Sequence, residues 1–247
     1  MSDNWDFYFC HVDERPASIF LDLGIADKAP IKSHPIMAYV RIFMPNPRSD
    51  GLSSDEDFEE IKEIEDLLSQ ELESNLCLYV GRNTSNGCRD FYFYLATSDT
   101  WVEDVARAMS NFPKHEFESG TRDDAEWNTY FGFLHPSEED LERIQNRHTC
   151  EALERNGDCL TAERQIDHWV YFKSAGNRTA FIEKSASLGY AVAQTWNPGN
   201  DDHRFGVRLS SLGVPSFVDI DNLTLPLFRI ARDFGGDYDG WETQVIR

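Results

Sequence analysis

The apolar residues of the chain follow two spacings, and these spacings predict a mixture of strands and helices. Alternation of apolar and polar residues is typical of strands, and apolar residues three or four positions apart are typical of helices. In the first 155 residues the pattern predicts three strands, a helix, a hairpin, a second helix, a strand and a connecting helix. The predicted strands cover 5–9, 17–23, 35–44, 76–80, 90–96 and 127–134.

The first two predicted helices each carry one apolar stripe. Ser53 or Ser54 can cap the first helix, because a side-chain oxygen at this position accepts a hydrogen bond from a free backbone N–H. Ser98 or Asp99 can cap the second, and a third helix is predicted to run from Pro136 toward Arg155. The predicted buried positions are Phe58, Ile61, Ile64, Leu68 and Leu72 in the first helix, and Trp101, Val105, Met109 and Phe112 in the second.

The same order of elements recurs in the second half of the chain. Strands at 167–172, 190–196, 204–209 and 241–246 alternate with a helix at 177–188 and a helix that ends at Phe234. Both halves therefore contain β-α-β-β-α-β, which builds an antiparallel sheet with two helices on one face.

We therefore predict an α+β chain of two tandem ferredoxin-like α/β sandwich domains. Residues 1–155 form the first domain with its connecting helix, and residues 160–247 form the second. The segments Glu126-Trp127-Asn128-Thr129 and Gly240-Trp241-Glu242-Thr243 are similar and support an internal repeat. The alternative is chance, since this order of elements is common.

Pro226 breaks the apolar pattern of the last helix. In a helix interior, proline lacks the N–H donor and clashes with the carbonyl four residues back, at a cost of roughly 3 kcal/mol. We therefore expect the helix to start near Asn222 or Thr224, with Pro226 in its first turn and Gly235 just past its end.

Composition favours a folded protein of the cytoplasm. Hydrophobic residues make up 40% and aromatic residues 13%, which excludes disorder. No apolar run approaches the roughly 18 residues of a spanning helix, and the acidic N-terminus does not resemble a signal peptide. The five cysteines are widely spaced without a CxxC pair, so we expect reduced thiols.

The net charge of −21 is concentrated in the first part of the chain. Residues 1–150 hold 30 acidic and 13 basic side chains, whereas residues 151–247 hold 14 and 10. Such a surface repels a phosphate backbone, so we expect no direct binding of nucleic acid. It favours a basic protein partner, with the alternative that the charge serves solubility alone.

Several segments of the second half resemble the regulator of ribonuclease E activity B family. They are Ile166 to Phe172, Gly189-Tyr190, Arg204 to Val207 and the closing run Gly235-Gly236-Asp237-Tyr238-Asp239-Gly240-Trp241-Glu242. The resemblance covers about residues 160–247 and implies a ferredoxin-like fold. It also implies a non-enzymatic protein that binds ribonuclease E and inhibits its cleavage of RNA. Residues 1 to about 145 resemble an uncharacterised bacterial domain family, which implies no activity.

The closing segment is the first predicted contact surface for a partner. We expect a tight turn at Asp239-Gly240 before the last strand. Tyr238 and Trp241 can supply large contact area, and the Asp237 and Asp239 carboxylates can accept hydrogen bonds from Arg or Lys. The alternative is that the glycines serve backbone geometry and that Trp241 packs under the helix.

The acidic face of the first helix is the second predicted contact surface. Glu59, Glu60 and Glu63 belong to its dense run of carboxylates, and they can bind an arginine-rich segment in competition with RNA. The alternative is an ordinary solvated face, because an amphipathic helix needs a polar side.

No motif of a catalytic or metal site is found. His148, Cys150, Cys159 and His168 do not have zinc-site spacings, and Asp201-Asp202-His203 is typical of a hairpin turn. We therefore expect no catalytic residue, no metal and no cofactor. Phe91 to Tyr94 is aromatic enough for an RNA-reading sheet, yet with one arginine nearby it is better explained as sheet core.

These observations lead to one preferred hypothesis and two alternatives. The preferred function is a cytoplasmic, non-enzymatic regulator that binds a basic segment of a ribonuclease or of an RNA-degradation complex and blocks it sterically and electrostatically. The first alternative is a hydrolase with a site between the two domains, and the second is an interaction scaffold unrelated to RNA turnover.

Overall fold

The computed structural model describes residues 2–197 and 204–247, and the chain divides into two compact units, Met1–Pro136 and Ser137–Arg247. Both units contain helices and an antiparallel sheet, as predicted. The predicted hairpin turn at Asp201, Asp202 and His203 lies outside the described residues.

From residue 2 onward, where its description begins, the first unit has six strands and two α-helices. A 3₁₀ helix, Leu23–Asp27, and one turn of π-helix, Tyr130–Leu134, complete it. The strands are β1 Trp5–Val12, β2 Arg15–Asp22, β3 Ile36–Phe43, β4 Cys77–Ser85, β5 Cys88–Leu95 and β6 Phe117–Asp123, and the helices are α1 Asp55–Leu72 and α2 Trp101–Met109.

The sheet of the first unit has the order β1-β2-β4-β5-β3-β6, with antiparallel pairs throughout. Strands β3 to β6 and helices α1 and α2 follow the predicted β-α-β-β-α-β order along the chain. In the sheet, β3 lies between β5 and β6. The β1–β2 hairpin extends this ferredoxin-like core beyond β4.

The main core of the first unit lies between the sheet and its two helices. Helix α1 starts at the cap Ser54, whose hydroxyl accepts a hydrogen bond from the N–H of Asp57. The predicted apolar stripes are buried except at Phe58, which is 41% exposed, and at Phe112, which is partly buried. The core contains Ile61, Ile64, Leu68 and Leu72 of α1, Trp101, Val105 and Met109 of α2, and Val40, Ile42, Phe91 and Phe93 of the sheet.

The prediction of a strand at 127–134 is wrong. Trp127 has a left-handed backbone with φ of 57°, which ends any extended run, and π-helix follows at Tyr130. The Trp127 ring stacks on Tyr94 with 3.8 Å between ring centroids, and its Nε1 donates to the His34 carbonyl at 3.0 Å. The edge strand is instead β6, so the similarity between residues 126–129 and 240–243 does not mark equivalent positions.

The described residues of the second unit form one sheet and three helices. Its four strands have the order β10-β7-β9-β8, again with antiparallel pairs. This is the predicted ferredoxin-like topology with one additional helix, α3, before it. The strands are β7 Arg164–Phe172, β8 Ala191–Trp196, β9 Phe205–Gly213 and β10 Gly236–Thr243, and the helices are α3 Glu138–Arg155, α4 Ala175–Ala186 and α5 Ile220–Asp233.

Helix α3 belongs to the second unit, although the sequence pattern placed it in the first domain. Its buried side chains Cys150 and Leu153 pack in one cluster with Ile220 of α5 and Trp241 of β10. The boundary therefore lies before Ser137, because the apolar face of α3 is buried within the second unit.

The prediction that Pro226 lies in the first turn of its helix is wrong. Helix α5 begins at Ile220, so Pro226 is its seventh residue and lies in the interior. Burial explains why the helix extends this far toward its N-terminus, since Ile220 and Thr224 are both inaccessible to solvent. Gly235 follows the helix with φ of 65°, as expected for its end.

Candidate protein-binding site

An open groove lies where α3, α5 and the start of β10 meet, within the second unit. Its volume is about 400 Å³. Positions three and four apart lie on one helix face, so α3 presents Glu138, Leu141 and Glu142 together, and α5 presents Phe228 and Arg232. The lining residues are Glu138, Leu141, Glu142, Phe228, Arg232, Gly236, Asp237 and Tyr238.

The groove has an apolar part. Leu141 is 39% exposed, and Phe228 is half-buried against the core between the sheet and its helices. The Arg232 guanidinium lies 5.8 Å from the centre of the Phe228 ring. A partner side chain with an aliphatic stem can therefore bury apolar surface here.

The carboxylates at the rim are held by weak ion pairs. Glu138 lies 3.5 Å from Arg232, and Asp237 lies 3.5 Å from Arg204. The side chains of Glu138 and Asp237 are 73% and 72% exposed. Solvent-exposed pairs of this kind contribute at most about 1 kcal/mol, so a cation from a partner can replace the internal one.

Glu142 is the acidic group inside the groove. Burial, with a smaller contribution from the nearby Asp221 carboxylate, raises the pKa of Glu142 to about 7. Its Oε1 is inaccessible to solvent and accepts no hydrogen bond from the described part of the chain. A cationic donor placed in the groove would supply the missing partner and favour the ionised carboxylate.

A β-bulge explains the positions of the predicted contact residues on β10. The predicted turn at Asp239-Gly240 is instead a register shift within one continuous strand, between Tyr238 and Gly240. Residues three apart on a regular strand point to opposite faces, whereas the extra residue of a bulge turns both Tyr238 and Trp241 inward. Each of the two is 8% exposed.

Tyr238 and Trp241 therefore supply little exposed contact area, which corrects the expectation for these two rings. The Trp241 Nε1 donates to Asn146 Oδ1 of α3 at 2.8 Å. The Tyr238 hydroxyl lies 2.9 Å from His168 Nδ1, and His168 Nε2 lies 3.1 Å from Ser211 Oγ. Asp237 and Asp239 are exposed, so the carboxylates of the segment remain available.

The acidic face of α1 is mostly exposed, as expected, but two of its carboxylates point inward. Both oxygens of Asp57 accept from the Asn46 N–H, and Glu65 accepts from the Tyr79 hydroxyl and from Arg82. Glu59, Glu60 and Glu63 are exposed. Glu60 lies 3.1 Å from His115 Nε2. On the described surface, the other two carboxylates, Glu59 and Glu63, face solvent without an ion-pair partner.

The two histidines and two cysteines considered as metal ligands form no candidate metal site in the described part of the chain. His168 is fully buried, and burial lowers its pKa to about 4. Cys150 is buried against the Pro215 carbonyl, and Cys159 is exposed. Residues 2–197 and 204–247 contain no group of three or more His, Cys, Asp or Glu side chains placed to hold a metal ion.

No helix within the described ranges combines the length and apolar character needed to cross a membrane.

Comparisons with known proteins divide the chain in the same way as the fold. Residues 3–135 match the model of a family of unknown function, DUF695, and residues 143–243 match the model of regulator of ribonuclease activity B. Phe228, Arg232, Asp237 and Tyr238 of the groove lie inside the second match, and Glu138, Leu141 and Glu142 lie just before it. No curated protein matches the chain.

Two solved structures align with most of the chain at low similarity. One is an unknown protein from Galdieria sulphuraria, with 14% identity, coverage of 85% of this chain and 99% of that chain, and a TM-score of 0.25. The other is described as a "putative glycine cleavage system transcriptional repressor", with 9% identity, coverage of 85% and 98%, and a TM-score of 0.24. At these scores neither carries an argument about fold or function.

The first match covers more than half of the 247 residues, so the chain belongs to the DUF695 family, and its second unit is similar to regulator of ribonuclease activity B.

Proposed function

We propose that this protein is a non-catalytic regulator of an endoribonuclease of the ribonuclease E type, and that it binds a basic segment of that enzyme through the groove of the second unit. The observation that carries the proposal is the placement of three carboxylates around two accessible apolar side chains, one exposed and one half-buried, in and beside the segment that matches a ribonuclease regulator. The carboxylates are Glu138, Glu142 and Asp237, and the apolar side chains are Leu141 and Phe228.

The groove suits an arginine or lysine that follows an apolar residue. The aliphatic stem and the apolar neighbour would cover Leu141 and Phe228. The cationic head would reach Glu142 Oε1, which has no hydrogen-bond donor on the described chain. Bonds in which donor and acceptor are both charged are stronger than neutral ones, and a buried acceptor gains most from a new donor.

Inhibition then follows from occlusion. A segment that binds RNA needs its arginine and lysine side chains for the phosphates. When those side chains lie in an acidic groove, they are withdrawn from RNA, and the bound regulator also blocks access sterically. No bond of the substrate is formed or broken by the regulator.

The first unit contributes electrostatic attraction in this proposal. Most of the net charge of −21 lies before residue 151, and Glu59 and Glu63 face solvent on α1. Charges of one sign speed the encounter with a basic partner and act less at high salt. We place the protein in the cytoplasm, where such an enzyme works.

Binding and RNA cleavage test the proposal with three forms of the full chain. The wild type is expected to bind the purified endoribonuclease and to slow cleavage of an RNA substrate. The double variant Glu138→Gln with Asp237→Asn removes two exposed carboxylates of the groove and should weaken binding at least about ten-fold at low salt. Glu183→Gln, an exposed carboxylate on α4 outside the groove, should behave as the wild type.

Three results would contradict the proposal. Absence of binding would remove the ribonuclease as partner, and co-purification from cells would then show whether the chain is a scaffold in another complex. Binding that is equally weakened by Glu183→Gln would reject the groove. RNA cleavage by the regulator itself would reject a non-catalytic role.

A further inference from the structure

A second cleft lies in the first unit, on the sheet face opposite α1 and α2. Its volume is about 460 Å³, within the usual range for small-molecule sites. Strands β3, β5 and β6 form its floor, and the π-helical turn forms one wall. The side chains that matter here are Tyr39, Arg41, Asp90, Tyr92, Arg122 and Phe133.

The register of the strands explains why these residue types meet. Paired residues of an antiparallel sheet have side chains on the same face, directly opposite each other. Tyr39 is paired with Tyr92, and two residues further along Arg41 is paired with Asp90. On the other side of β3, Met37 is paired with Arg122, so the two arginines lie at opposite ends of the cleft with the tyrosines between them.

One end of the cleft offers both donors and acceptors. Arg41 donates from Nε and Nη2 to the two Asp90 oxygens at 2.6 and 2.9 Å, and the Tyr92 hydroxyl lies 3.4 Å from Asp90 Oδ2. Arg41 is 41% exposed and retains three N–H donors, because a guanidinium has five. A planar ring with polar groups on its edge can bond to this pair.

The other end carries a cation. Arg122 Nη2 donates to Thr129 Oγ1 at 2.6 Å, and no carboxylate of the described chain lies within ion-pair distance of Arg122. The lining of the cleft therefore holds two guanidinium groups and one carboxylate, in a protein whose net charge is −21. Arg41 is also paired with Glu118 of β6, so carboxylates balance the charge at that end, whereas Arg122 bonds to a hydroxyl and favours an anionic group beside it.

The middle of the cleft is aromatic. The Tyr39 ring packs against the backbone of β6, where a Cβ at Gly120 would come within 2.9 Å of the ring. Tyr92 contacts Phe133 edge-on, with ring centroids 5.8 Å apart. Met37, the partner of Arg122 on β6, lies four residues from Arg41 along β3, so the backbones of the two arginines are roughly 14 Å apart at 3.3 Å per residue and about 4.8 Å between strands. This distance suits a ligand with a flat ring at one end and an anion at the other.

We propose that this cleft binds a nucleoside monophosphate, with the base beside Tyr39 and Tyr92, the base edge on Arg41 and Asp90, and the phosphate on Arg122. The site uses residues of the first unit alone. It is therefore independent of the proposed contact with a ribonuclease, and the two proposals can fail separately.

Calorimetric titration of the purified full chain tests the site. The probes are AMP, GMP, CMP and UMP, with adenosine and inorganic phosphate as partial ligands. At least one mononucleotide is expected to bind with one site per chain, and more tightly than either partial ligand. Arg122→Gln should weaken that binding at least about ten-fold, since it removes a charged hydrogen bond.

Two further variants make the assignment specific. Tyr39→Leu keeps apolar bulk but removes the ring, so it should weaken mononucleotide binding and leave phosphate binding unchanged. Arg15→Gln removes an exposed arginine of the first unit outside the cleft and should have no effect. Failure of all four mononucleotides to bind at millimolar concentration would overturn the proposal. So would binding that resists Arg122→Gln, or phosphate alone binding as tightly as the mononucleotides.

Discussion

At the scale of single residues, the last strand shows how one inserted residue changes the role of its neighbours. The aromatic residues Tyr238 and Trp241 lie in a run of acidic residues and glycines, a pattern that favours an exposed contact surface. The bulge at Asp239 turns both rings into the core, and their polar atoms find His168 and Asn146 as partners. The carboxylates of the same run remain outside.

Trp241→Phe should therefore destabilise the protein. The change removes the indole N–H and leaves Asn146 Oδ1 buried without that donor, which costs about 1–3 kcal/mol. The free energy of unfolding from urea titration measures the effect. Val245→Ala, at a 41% exposed position nearby in sequence, should change it by less than about 0.5 kcal/mol. If both variants are equally stable, Trp241 does not pack as described.

Glu142 makes stability depend on pH. Its pKa is raised from 4.5 to about 7 in the folded protein, so between these values the folded state holds a proton that the unfolded chain releases. The contribution of the Glu142 carboxyl to the free energy of unfolding is fully present below about pH 4.5 and is lost as the pH rises through about 7.

Glu142→Gln should remove this loss. We expect the variant to be more stable than the wild type at pH 8, by an amount on the order of 1 kcal/mol, and of similar stability at pH 4.5. Thermal unfolding at the two pH values measures the difference. Glu154→Gln, at an exposed position on the same helix, is the matched control. A Glu142→Gln variant that is less stable at pH 8 would contradict the assignment.

At the scale of elements, the wrong prediction of a strand at 127–134 has a physical cause. The strand β6 is polar along most of its length, because an edge strand buries little, and its sequence lacks the alternation by which strands are predicted. Residues 127–134 do contain large apolar side chains. Trp127, Tyr130 and Leu134 are buried because Trp127 has a left-handed backbone and a π-helical turn follows it. The spacing of apolar residues indicates neither feature.

Helix α5 accommodates a proline because burial of side chains near its N-terminus favours a longer helix. Pro226 leaves the carbonyl of Asn222, four residues back, without an intrahelical donor. Asn222 is exposed, so water can bond to that carbonyl, and burial of Ile220 and Thr224 offsets the cost.

Pro226→Ala should stabilise the protein by roughly 1–2 kcal/mol, since the restored hydrogen bond outweighs the greater freedom of the unfolded chain. Urea unfolding measures the change. Pro113→Ala, at an exposed loop position, is the matched control and should leave stability unchanged or slightly lower. A loss of stability at position 226 would show that the proline shapes the helix in a way that alanine cannot.

At the scale of the whole molecule, α3 decides where the second unit begins. It supplies Cys150 and Leu153 to the cluster around Trp241, and Asn146 bonds to the indole. It also provides one wall of the groove, with Glu138, Leu141 and Glu142. The ferredoxin-like elements alone, from residue 160 onward, lack all of these groups.

A fragment of residues 137–247 should therefore fold cooperatively, whereas a fragment of residues 160–247 should be markedly less stable. Removing α3 exposes Ile220 and Trp241, and burial of one such side chain contributes about 1.5–3 kcal/mol. Thermal unfolding followed by circular dichroism compares the two fragments. Equal melting temperatures would show that α3 is dispensable and that the second unit begins near residue 160.

The sequence by itself determined the fold class, the order of elements in both halves and the kinship of the second unit, because these depend on local spacing and on short runs of residues. The cap of α1 at Ser54 could be predicted for the same reason, whereas the cap predicted for α2 at Ser98 or Asp99 is wrong, because that helix follows Thr100 without a side-chain cap. The tertiary structure alone decided which unit holds α3, which way Tyr238 and Trp241 point, and that Arg41, Arg122 and two tyrosines share one cleft. These features depend on strand register, on a one-residue bulge and on contacts between residues far apart in the chain, and no local pattern of apolar and polar residues encodes them.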